Sequence, residues 1–281
     1  MPRLNCPKSV FARAVCVGRV DRVAGRRELW PMKSWFAILL LALVCAVPAA
    51  NAAEAEPITL RVLCYNIHHA EGLDGKVDTD RIARLILEHK ADIVGLQEVD
   101  KGVQRTQGRN IAGELAQKTG LHAWFDRNID HQGGEYGNAI LSRFPILTRT
   151  NTHYKMLRPG EQRGLQRATM EVHGQRIALL NTHLDYRPDD SERKLNVGEI
   201  RAAVDSLAGL PALVLGDFNC KPDSEVQASL REFLTDSWLV AGKGDGFTIP
   251  VKEPRSRIDY IFHTPANRWR ENPDAVGHRS P

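Results

Sequence analysis

Apolar and polar residues recur with two different periods along residues 57–281. Alternation every second residue and short continuous apolar runs predict β-strands at ITLRVLCYN, ADIVGLQEV, HAWF, NAILS, ILTRTNTHY, ATMEVHG, RIALLNTHL, PALVLGDFN and RIDYIF. Helical spacing predicts helices at DTDRIARLILEHK, NIAGELAQKTG, 192–207 and 224–234. Gly120 stands where a left-handed residue would end the second helix, and HGQR predicts a tight turn. Helices interleaved with buried strands predict one α/β domain, and the hairpins favour two mixed sheets packed together with helices outside.

The apolar run nearest the N-terminus has a different layout. Residues 32–52 begin with Met32 and a basic lysine, continue with 13 residues from Trp35 to Val47, and end in small residues up to Ala52. This layout predicts a signal peptide cleaved near Ala52, and hence a secreted or periplasmic protein. The alternative is a membrane anchor left uncleaved, although about 20 apolar residues are needed to span a bilayer. Residues 1–31 show no helical or strand pattern, and we interpret them as a non-native or disordered extension preceding a true start at Met32.

Removal of this leader changes what charge and cysteine content indicate. Residues 1–52 hold eight of the 38 basic and two of the 34 acidic residues, which leaves 30 basic and 32 acidic residues. A nearly neutral chain gives no support for a basic surface that binds nucleic acid. Only Cys64 and Cys220 remain of five cysteines, too few for a disulfide scaffold or a zinc cluster. A single disulfide is compatible with export, but a pair of buried thiols is favoured.

Several apolar strands end in polar groups that a buried strand does not need. They are Asn66, Glu98, His183, Asp217 and Asn219, with Asp259 inside the apolar run of RIDYIF. A buried carboxylate is unfavourable unless it is paired or bound to metal, and converging acids suit a hard divalent cation. Singly, each has a structural explanation: GDFN suits a tight turn, and His68 and His69 are interpreted as surface residues of a turn. Together they predict one site for phosphoryl chemistry.

The order of these segments resembles that of the endonuclease/exonuclease/phosphatase superfamily, to which pancreatic deoxyribonuclease belongs. The resemblance spans Leu60 to Phe262 and is carried by YNIHHAEGLDGKVDTDRIARLI, ADIVGLQEVD, GGEYGNAILSRFPI, NTHLDY, GDFNCKPDSE and RIDYIF. It implies a four-layer α/β sandwich, with two mixed β-sheets face to face and helices outside. The chain is similar to the short exported bacterial members of that family.

The resemblance also implies roles for individual residues. Glu98 corresponds to the metal-binding glutamate, with Asn66 beside it, and Mg²⁺ or Mn²⁺ is the implied ion. Asp217 and Asn219 correspond to the pair that activates or orients the attacking water and holds the phosphate. His183 corresponds to a residue that stabilises the phosphate, and Asp259 to the acid that orients a terminal catalytic histidine. Asn138 and Arg163 correspond to residues that line the phosphate cleft. Tyr136 corresponds to another such residue, although a position in the apolar core is equally compatible with its sequence context.

The C-terminal segment departs from the family pattern. Members continue from the strand of the pairing aspartate to a Ser-Asp-His triplet and a final strand. Here AVGHRSP offers His278 but has Gly277 in place of the aspartate. Either this tail has diverged while His278 still reaches Asp259, or the last segment has been replaced and the final strand is missing. We favour the second interpretation, under which an adjacent strand edge would be unpaired.

These observations predict a metal-dependent hydrolase that cleaves a phosphoester, and most plausibly a phosphodiester, with activated water. The substrate classes implied are a nucleic acid, a phospholipid head group or a small phosphodiester. No protein partner is implied, and a monomer is expected. The alternative is a catalytically impaired phosphate-binding or interaction protein of the same descent, because the Ser-Asp-His motif is not intact.

Overall fold

A computed structural model describes residues 13–20, 58–265 and 269–271. The predicted signal peptide, the proposed cleavage position, Gly277 and His278 lie outside these residues. Within the described part of the chain, no helix is both long enough and apolar enough to cross a membrane.

Within the described residues, twelve strands form two six-stranded mixed sheets. The strands are β1 (Arg13–Val20), β2 (Ile58–Asn66), β3 (Ile93–Lys101), β4 (His122–His131), β5 (Gly134–Ser142), β6 (Ile146–His153), β7 (Gly164–Val172), β8 (Gln175–His183), β9 (Ala212–Asp217), β10 (Thr235–Asp236), β11 (Asp259–His263) and β12 (Trp269–Glu271). The first sheet has the order β12-β1-β2-β3-β5-β4, and the second has the order β10-β11-β9-β8-β7-β6. In each sheet one neighbouring pair is parallel: β2 with β3 in the first and β8 with β9 in the second.

The helices of the described residues are α1 (Thr79–Glu88), α2 (Ile111–Thr119), α3 (Ser191–Asp205), α4 (Glu225–Arg231) and α5 (Ser237–Ala241). Helix α1 connects β2 to β3 and α3 connects β8 to β9. Helices α1 to α4 pack on the outer faces of the sheets, whereas Ala241 of α5 belongs to the apolar cluster between the sheets. The Asp78 side chain caps α1 by accepting hydrogen bonds from two backbone N–H groups. Gly120 ends α2 with a φ of +73°, as its sequence position predicted. Helix α5 was not predicted, because five residues are too few to show a helical period.

The sheets are apolar on both faces, which explains why their sequences read as nearly continuous apolar runs. Along β2, Val62 and Cys64 pack between the sheets, whereas Leu63 and Tyr65 pack against the layer of α1 and α2. A third apolar cluster lies between the second sheet and α3 and α4. The predicted four-layer α/β sandwich is therefore confirmed.

Close approach of the two sheets fixes one glycine in β3. A Cβ atom at Gly95 would lie 2.0 Å from Leu215 Cδ1 of β9, so a larger residue would push the sheets apart. The tight turn predicted at HGQR joins β7 and β8, with positive φ angles at His173 and Gly174. Cys64 and Cys220 are both buried free thiols, which confirms the favoured interpretation of the cysteines.

Residues 13–20 and 269–271 depart from the sequence-based expectations. Strand β1 pairs with β2 over eight residues, although no strand was expected within residues 1–31. Strand β12 pairs with β1 over three residues, in a tail that was expected to contain no strand. Edge pairing depends on backbone hydrogen bonds, which require no alternation of side chains and leave no periodic signal. The altered tail was expected to leave an adjacent strand edge unpaired, and in the structure β1 pairs along the edge of β2.

Candidate active site

The candidate site lies where the parallel strand pairs end. Asn66 is the last residue of β2, His183 the last of β8 and Asp217 the last of β9. His183 lies opposite Asp217 in the sheet register, and Asp217 lies opposite Asp259 at the start of β11. Clefts at the carboxyl ends of strands are common ligand sites in α/β proteins. The topology thus brings polar ends of both sheets to one edge of the sandwich.

Asn66 joins the two sheets at this edge. Its Nδ2 donates hydrogen bonds to Glu98 Oε1 at 2.8 Å and to Asp217 Oδ2 at 3.0 Å. Its Oδ1 accepts a hydrogen bond from the backbone N–H of His68 at 3.1 Å. Asn66 therefore presents its amide nitrogen to the carboxylates. Its assignment as a metal ligand stays a prediction that this arrangement does not itself support.

Glu98 reaches the cleft because β3 is irregular at this point. The pairing of β3 with β5 shifts register between Leu96 and Val99, and Glu98 has a φ of +57°. A left-handed conformation at a non-glycine residue is unfavourable and occurs mostly where function or packing requires it. Burial raises the pKa of the Glu98 carboxyl, and the hydrogen bond from Asn66 opposes that rise.

Asp217 lies at the centre of the site. Burial raises the pKa of its carboxyl to about 6, against hydrogen bonds from Asn66 and the backbone N–H of Asn219. The charge of Glu98 raises it further. Asn219 has a φ of +50°, and its Nδ2 donates to the carbonyl oxygen of Leu184 at 3.0 Å, which leaves the side-chain oxygen free of that bond. A carboxyl with a pKa near neutrality can accept a proton from water.

His183 is held in one protonation state by Arg163. The guanidinium NH1 lies 2.8 Å from Nδ1 of His183, and a guanidinium can only donate, so Nδ1 accepts and Nε2 carries the proton. Nε2 lies 3.7 Å from Asp217 Oδ2. Burial, and then the charge of Arg163, hold the pKa of His183 well below its usual range. His183 is therefore a neutral imidazole with an N–H group in the cleft.

The carboxyl group of Asp259 has unused hydrogen-bonding capacity. Neither of its oxygens has a hydrogen-bond partner among the described residues, although the side chain is 1% exposed. Burial, and then the neighbouring Asp217, raise the pKa of Asp259 well above its usual range. Its predicted partner, His278, lies outside the described residues, so that pairing stays a prediction.

Asn138 and Tyr136 lie on β5, and their lining of the phosphate cleft stays a prediction. Asn138 is 1% exposed, and its Nδ2 has no hydrogen-bond partner among the described residues. The ring of Tyr136 lies 5.3 Å from the guanidinium carbon of Arg105, which forms a two-point ion pair with buried Asp100. Burial and the charge of Glu98 raise the pKa of the Tyr136 hydroxyl, which places that group close to the predicted metal-binding residue.

Two histidines were not assigned to the site from sequence. His69 is 5% exposed, so its interpretation as a surface residue is wrong, and His68 is half-buried. Ligand atoms of His68, His69 and Glu98 lie within 4.8 Å of one another. Residues 68–70 form a 3-10 turn in which all three residues have positive φ. This backbone turns the imidazoles inward, a conformation that polar residues after a strand do not reveal in sequence.

A buried polar network beneath the cleft was also missed. Asn181 accepts from Gln97 Nε2 at 2.7 Å and donates to Gln166 Oε1 and to the carbonyl oxygens of Leu96 and Ala139 at 3.0–3.1 Å. These side chains link β3, β5, β7 and β8 across the space between the sheets. The signal available in sequence was an amide within an apolar strand, as in LLNTH and GLQEV.

The residues present fit a divalent cation. The charge of Glu98 raises the pKa of Asp217, and the charges of both raise the pKa of Asp259. Asp259 contributes two oxygens without hydrogen-bond partners among the described residues. Buried carboxylates of this kind are stabilised by a bound cation. Oxygen donors suit Mg²⁺ or Mn²⁺, and a histidine nitrogen beside Glu98 suits the latter as well.

Comparison with known proteins agrees with this geometry. The chain is 27% identical over 226 residues to the uncharacterized protein YbhP of Escherichia coli strain K12, covering 74% of this chain and 86% of YbhP. It is 25% identical over 207 residues to a 5'-tyrosyl-DNA phosphodiesterase of Caenorhabditis briggsae, covering 69% of this chain and 53% of that protein.

A solved structure with the same fold is that of a mannosyl-6-phosphatase from Bacteroides thetaiotaomicron VPI-5482. It superposes with a TM-score of 0.60 at 20% identity, over 74% of this chain and 86% of that chain. Residues 63–280 match the sequence profile described as the Endonuclease/Exonuclease/phosphatase family. The chain belongs to this family, whose members include phosphoesterases and nucleases.

Proposed function

We propose that this protein is a divalent-metal-dependent hydrolase that cleaves a phosphoester with activated water, and that this phosphoester is a phosphodiester. The observation that carries the proposal is the single hydrogen-bonded unit formed by Asn66, Glu98 and Asp217 from two sheets. Relatives that act as a phosphatase and as a phosphodiesterase support the same reaction class.

Each residue of the unit has a defined task in this proposal. Asp217 accepts the proton of the attacking water, because its carboxyl has a raised pKa and lies in the centre of the cleft. Asn219 orients that water. The Nε2–H group of His183 donates to a non-bridging phosphoryl oxygen, and it stays neutral because Arg163 occupies Nδ1.

Glu98 is the residue proposed to hold Mg²⁺ or Mn²⁺, with His68 and His69 nearby. A bound divalent cation would neutralise charge that develops on the phosphoryl oxygens. Asn66 donates a hydrogen bond to the Glu98 carboxylate and another to Asp217, and thereby keeps the two carboxylates close together. Asp259 lies opposite Asp217 in the sheet register, and in the proposal it orients His278 if the tail reaches the cleft.

Location and assembly complete the proposal. Residues 32–52 support export to the periplasm or the exterior after cleavage near Ala52, with an uncleaved membrane anchor as the alternative. A monomer without a protein partner is proposed. Sequencing the N-terminus of the protein recovered from the soluble and membrane fractions distinguishes the protein cleaved near Ala52 from the protein with an uncleaved anchor.

Hydrolysis assays test the reaction. Bis-p-nitrophenyl phosphate, plasmid DNA and sphingomyelin are offered with Mg²⁺, with Mn²⁺ and with a chelator. Replacement of Glu98 or Asp217 by alanine should reduce turnover by about 10²-fold or more, since electrostatic groups of this kind contribute that much to catalysis. Glu171→Ala, an exposed glutamate on β7, is the matched control. Wild-type turnover by either site variant would remove the assignment.

A second function is favoured by the sequence of the tail, in which Gly277 stands in place of the aspartate of the Ser-Asp-His triplet. A protein of this family with an incomplete site would bind phosphate and metal without turning a substrate over. Metal binding in calorimetry without hydrolysis of any of the three substrates would support this alternative.

A further inference from the structure

A cavity opens beside the cleft of the candidate active site. It encloses about 650 Å³ and is walled by the loops that follow β8 and β9 and by the loop that precedes β11. Asn219 forms part of its lining. Half-buried apolar side chains of Ile249, Pro250 and Ile258 form another part. Cavities of roughly 300–1,000 Å³ are the usual size for small-molecule sites.

The cavity adjoins the site through two contacts. Asn219 follows Asp217 by two residues, and its backbone N–H donates to Asp217 Oδ1 at 3.0 Å. On the other wall, Tyr186 has its ring 5.9 Å from the guanidinium carbon of Arg163, the residue that holds His183. A phosphoryl group placed between Asp217 and His183 would therefore direct one of its organic substituents into this cavity.

Two of the four cations in the cavity wall are committed to the fold. Arg187 donates to Asp185 at 2.7 Å, to Glu192 at 3.3 Å and to a backbone carbonyl. Arg193 forms an ion pair with Asp190 at 2.5 Å and donates to the carbonyl oxygen of Arg187 at 2.7 Å. These bonds shape the loop after β8, and the charge of each guanidinium is already paired with a carboxylate of the fold.

The other two cations, Lys221 and Arg255, are exposed on opposite loops of the same cavity. Neither forms an ion pair with an acidic residue in the part of the chain that the structure describes. Asp223 is the acid of the wall that likewise forms no ion pair with a described residue, so the uncommitted charges sum to a net positive value. An exposed aromatic ring, an apolar floor and uncommitted cations suit an organic group with an acidic substituent.

We propose that this cavity is the specificity site of the enzyme, and that it binds the organic group of a small phosphoester carrying a second anionic substituent, such as a carboxylate or another phosphate. Lys221 and Arg255 bind that substituent, and Tyr186 contacts the organic group. The cleavage of this phosphoester rests on the proposed function, whereas its binding in the cavity does not. A cavity of 650 Å³ suits a small molecule, whereas specific DNA interfaces bury about 1,000 Å² or more of protein surface and carry many phosphate contacts.

Binding of product analogues tests the inference without requiring turnover. Calorimetry compares phenyl phosphate with 4-carboxyphenyl phosphate, which differ only in the added anion. Wild-type protein should bind the carboxylated compound about three- to tenfold more tightly, the range of one or two partly exposed charge contacts. Lys221→Gln and Arg255→Gln should each lower this ratio toward one. Lys252→Gln, an exposed lysine in the same loop as Arg255 but outside the cavity wall, should retain it.

The outcomes separate the two proposals. Equal affinity of wild-type protein for both compounds, no binding of either, or a ratio unchanged in both cavity variants would overturn the specificity site. A ratio that behaves as expected, in a protein that hydrolyses no phosphoester, would support the site and reject the hydrolase. Where turnover occurs, 4-nitrophenyl 4-carboxyphenyl phosphate should have a lower KM than 4-nitrophenyl phenyl phosphate, and the two variants should raise that KM with little change in kcat.

Discussion

Asn66 Nδ2 donates to Glu98 at 2.8 Å and to Asp217 at 3.0 Å, and this one amide connects carboxylates that stand on different sheets. Glu98 belongs to the first sheet and Asp217 to the second. The hydrogen bonds bring the two acids into one cleft despite their mutual repulsion. Asn66 is thus a positioning residue for both.

Replacement of Asn66 by alanine should lower hydrolysis by about 10- to 100-fold, because two buried carboxylates lose a shared donor. The metal-binding constant measured by calorimetry should fall as well, since Glu98 is no longer restrained. Asn151→Ala, which removes hydrogen bonds to Arg127 and Asn128 away from the cleft, serves as the comparison. Unchanged metal affinity in Asn66→Ala would show that the amide has no positioning role.

Loss of Arg163 should change the protonation of His183. Without the guanidinium, Nδ1 can take up a proton, and the pKa of His183 should rise toward its ordinary value. Nitrogen chemical shifts of the imidazole, followed against pH in Arg163→Met and wild-type protein, measure this directly. Arg167→Met on β7, the strand that begins after Arg163, should leave the shifts unaltered, because its guanidinium donates to Ser206 instead. An Nδ1–H tautomer in the wild type would contradict the assignment.

Asp217 should make the metal-free protein less stable as pH rises. Its pKa is 3.8 when unperturbed and about 6 in the folded chain, so the folded state binds more protons between these values. Its contribution to stability is fully present below the lower value and is lost as pH rises through the upper one. Because about two pKa units correspond to roughly 3 kcal/mol, Asp217→Asn should unfold at higher temperature than wild type above pH 6.

The difference should shrink as the pH falls from about 6 to 3.8 and should be nearly absent below 3.8, where the wild-type carboxyl is protonated in both states. Thermal unfolding in a chelator across this range measures it. Asp205→Asn, an exposed residue at the end of α3, is the control. A stability difference that is constant with pH would show that ionisation of Asp217 does not cause it.

Substitution of Asn181 should lower the free energy of unfolding more than substitution of most other interior residues. Asn181→Leu leaves Gln97 and Gln166 without a shared partner between the sheets, which should lower the free energy of unfolding by about 3 kcal/mol or more. Denaturant titration measures the loss. Replacing Gln97 and Gln166 by apolar residues in the same chain should recover part of it, because the unpaired groups are then removed. No recovery would indicate that packing, rather than hydrogen bonding, dominates at this position.

The pairing of β1 with β2 and the proposed cleavage near Ala52 make opposite predictions, because cleavage would also remove residues 13–20. A chain beginning at Met32 lacks these residues and exposes the edge of β2, whereas a chain beginning at Arg13 keeps all eight paired residues. If the protein is exported as proposed, the two chains should melt at the same temperature, because the body folds without β1. A shorter chain that melts at lower temperature and associates in size-exclusion chromatography would show that the fold needs β1, and would contradict the proposed cleavage.

The strands and the polar residues at their ends could be predicted because each leaves a local pattern. Asn66, His183 and Asp217 follow directly from apolar runs, and parallel pairing then places them at one edge. The pairing of Arg163 with His183 had no such pattern, since it depends on the register of β7 and β8.

Three other features depend on backbone geometry or on distant pairing. The left-handed turn that buries His69 and the irregularity that turns Glu98 inward follow from positive φ angles, which residue type does not predict outside glycine and asparagine. The position of β1 depends on backbone hydrogen bonds to β2 alone. The conformation of a site residue is therefore harder to predict from sequence than its membership of the site.

Positive φ angles at His68, His69, Glu98 and Asn219 have a consequence for any attempt to improve this protein. The surrounding sheets hold each of these residues in a conformation that an isolated peptide would avoid. The favourable packing of the sheets therefore offsets the backbone strain at the cleft. Glycine at these positions would relax the backbone and remove the imidazole, carboxylate or amide that defines the chemistry. Selection for thermal tolerance alone would therefore act against the residues that carry the reaction, whereas changes in α1 to α4 are free of that conflict.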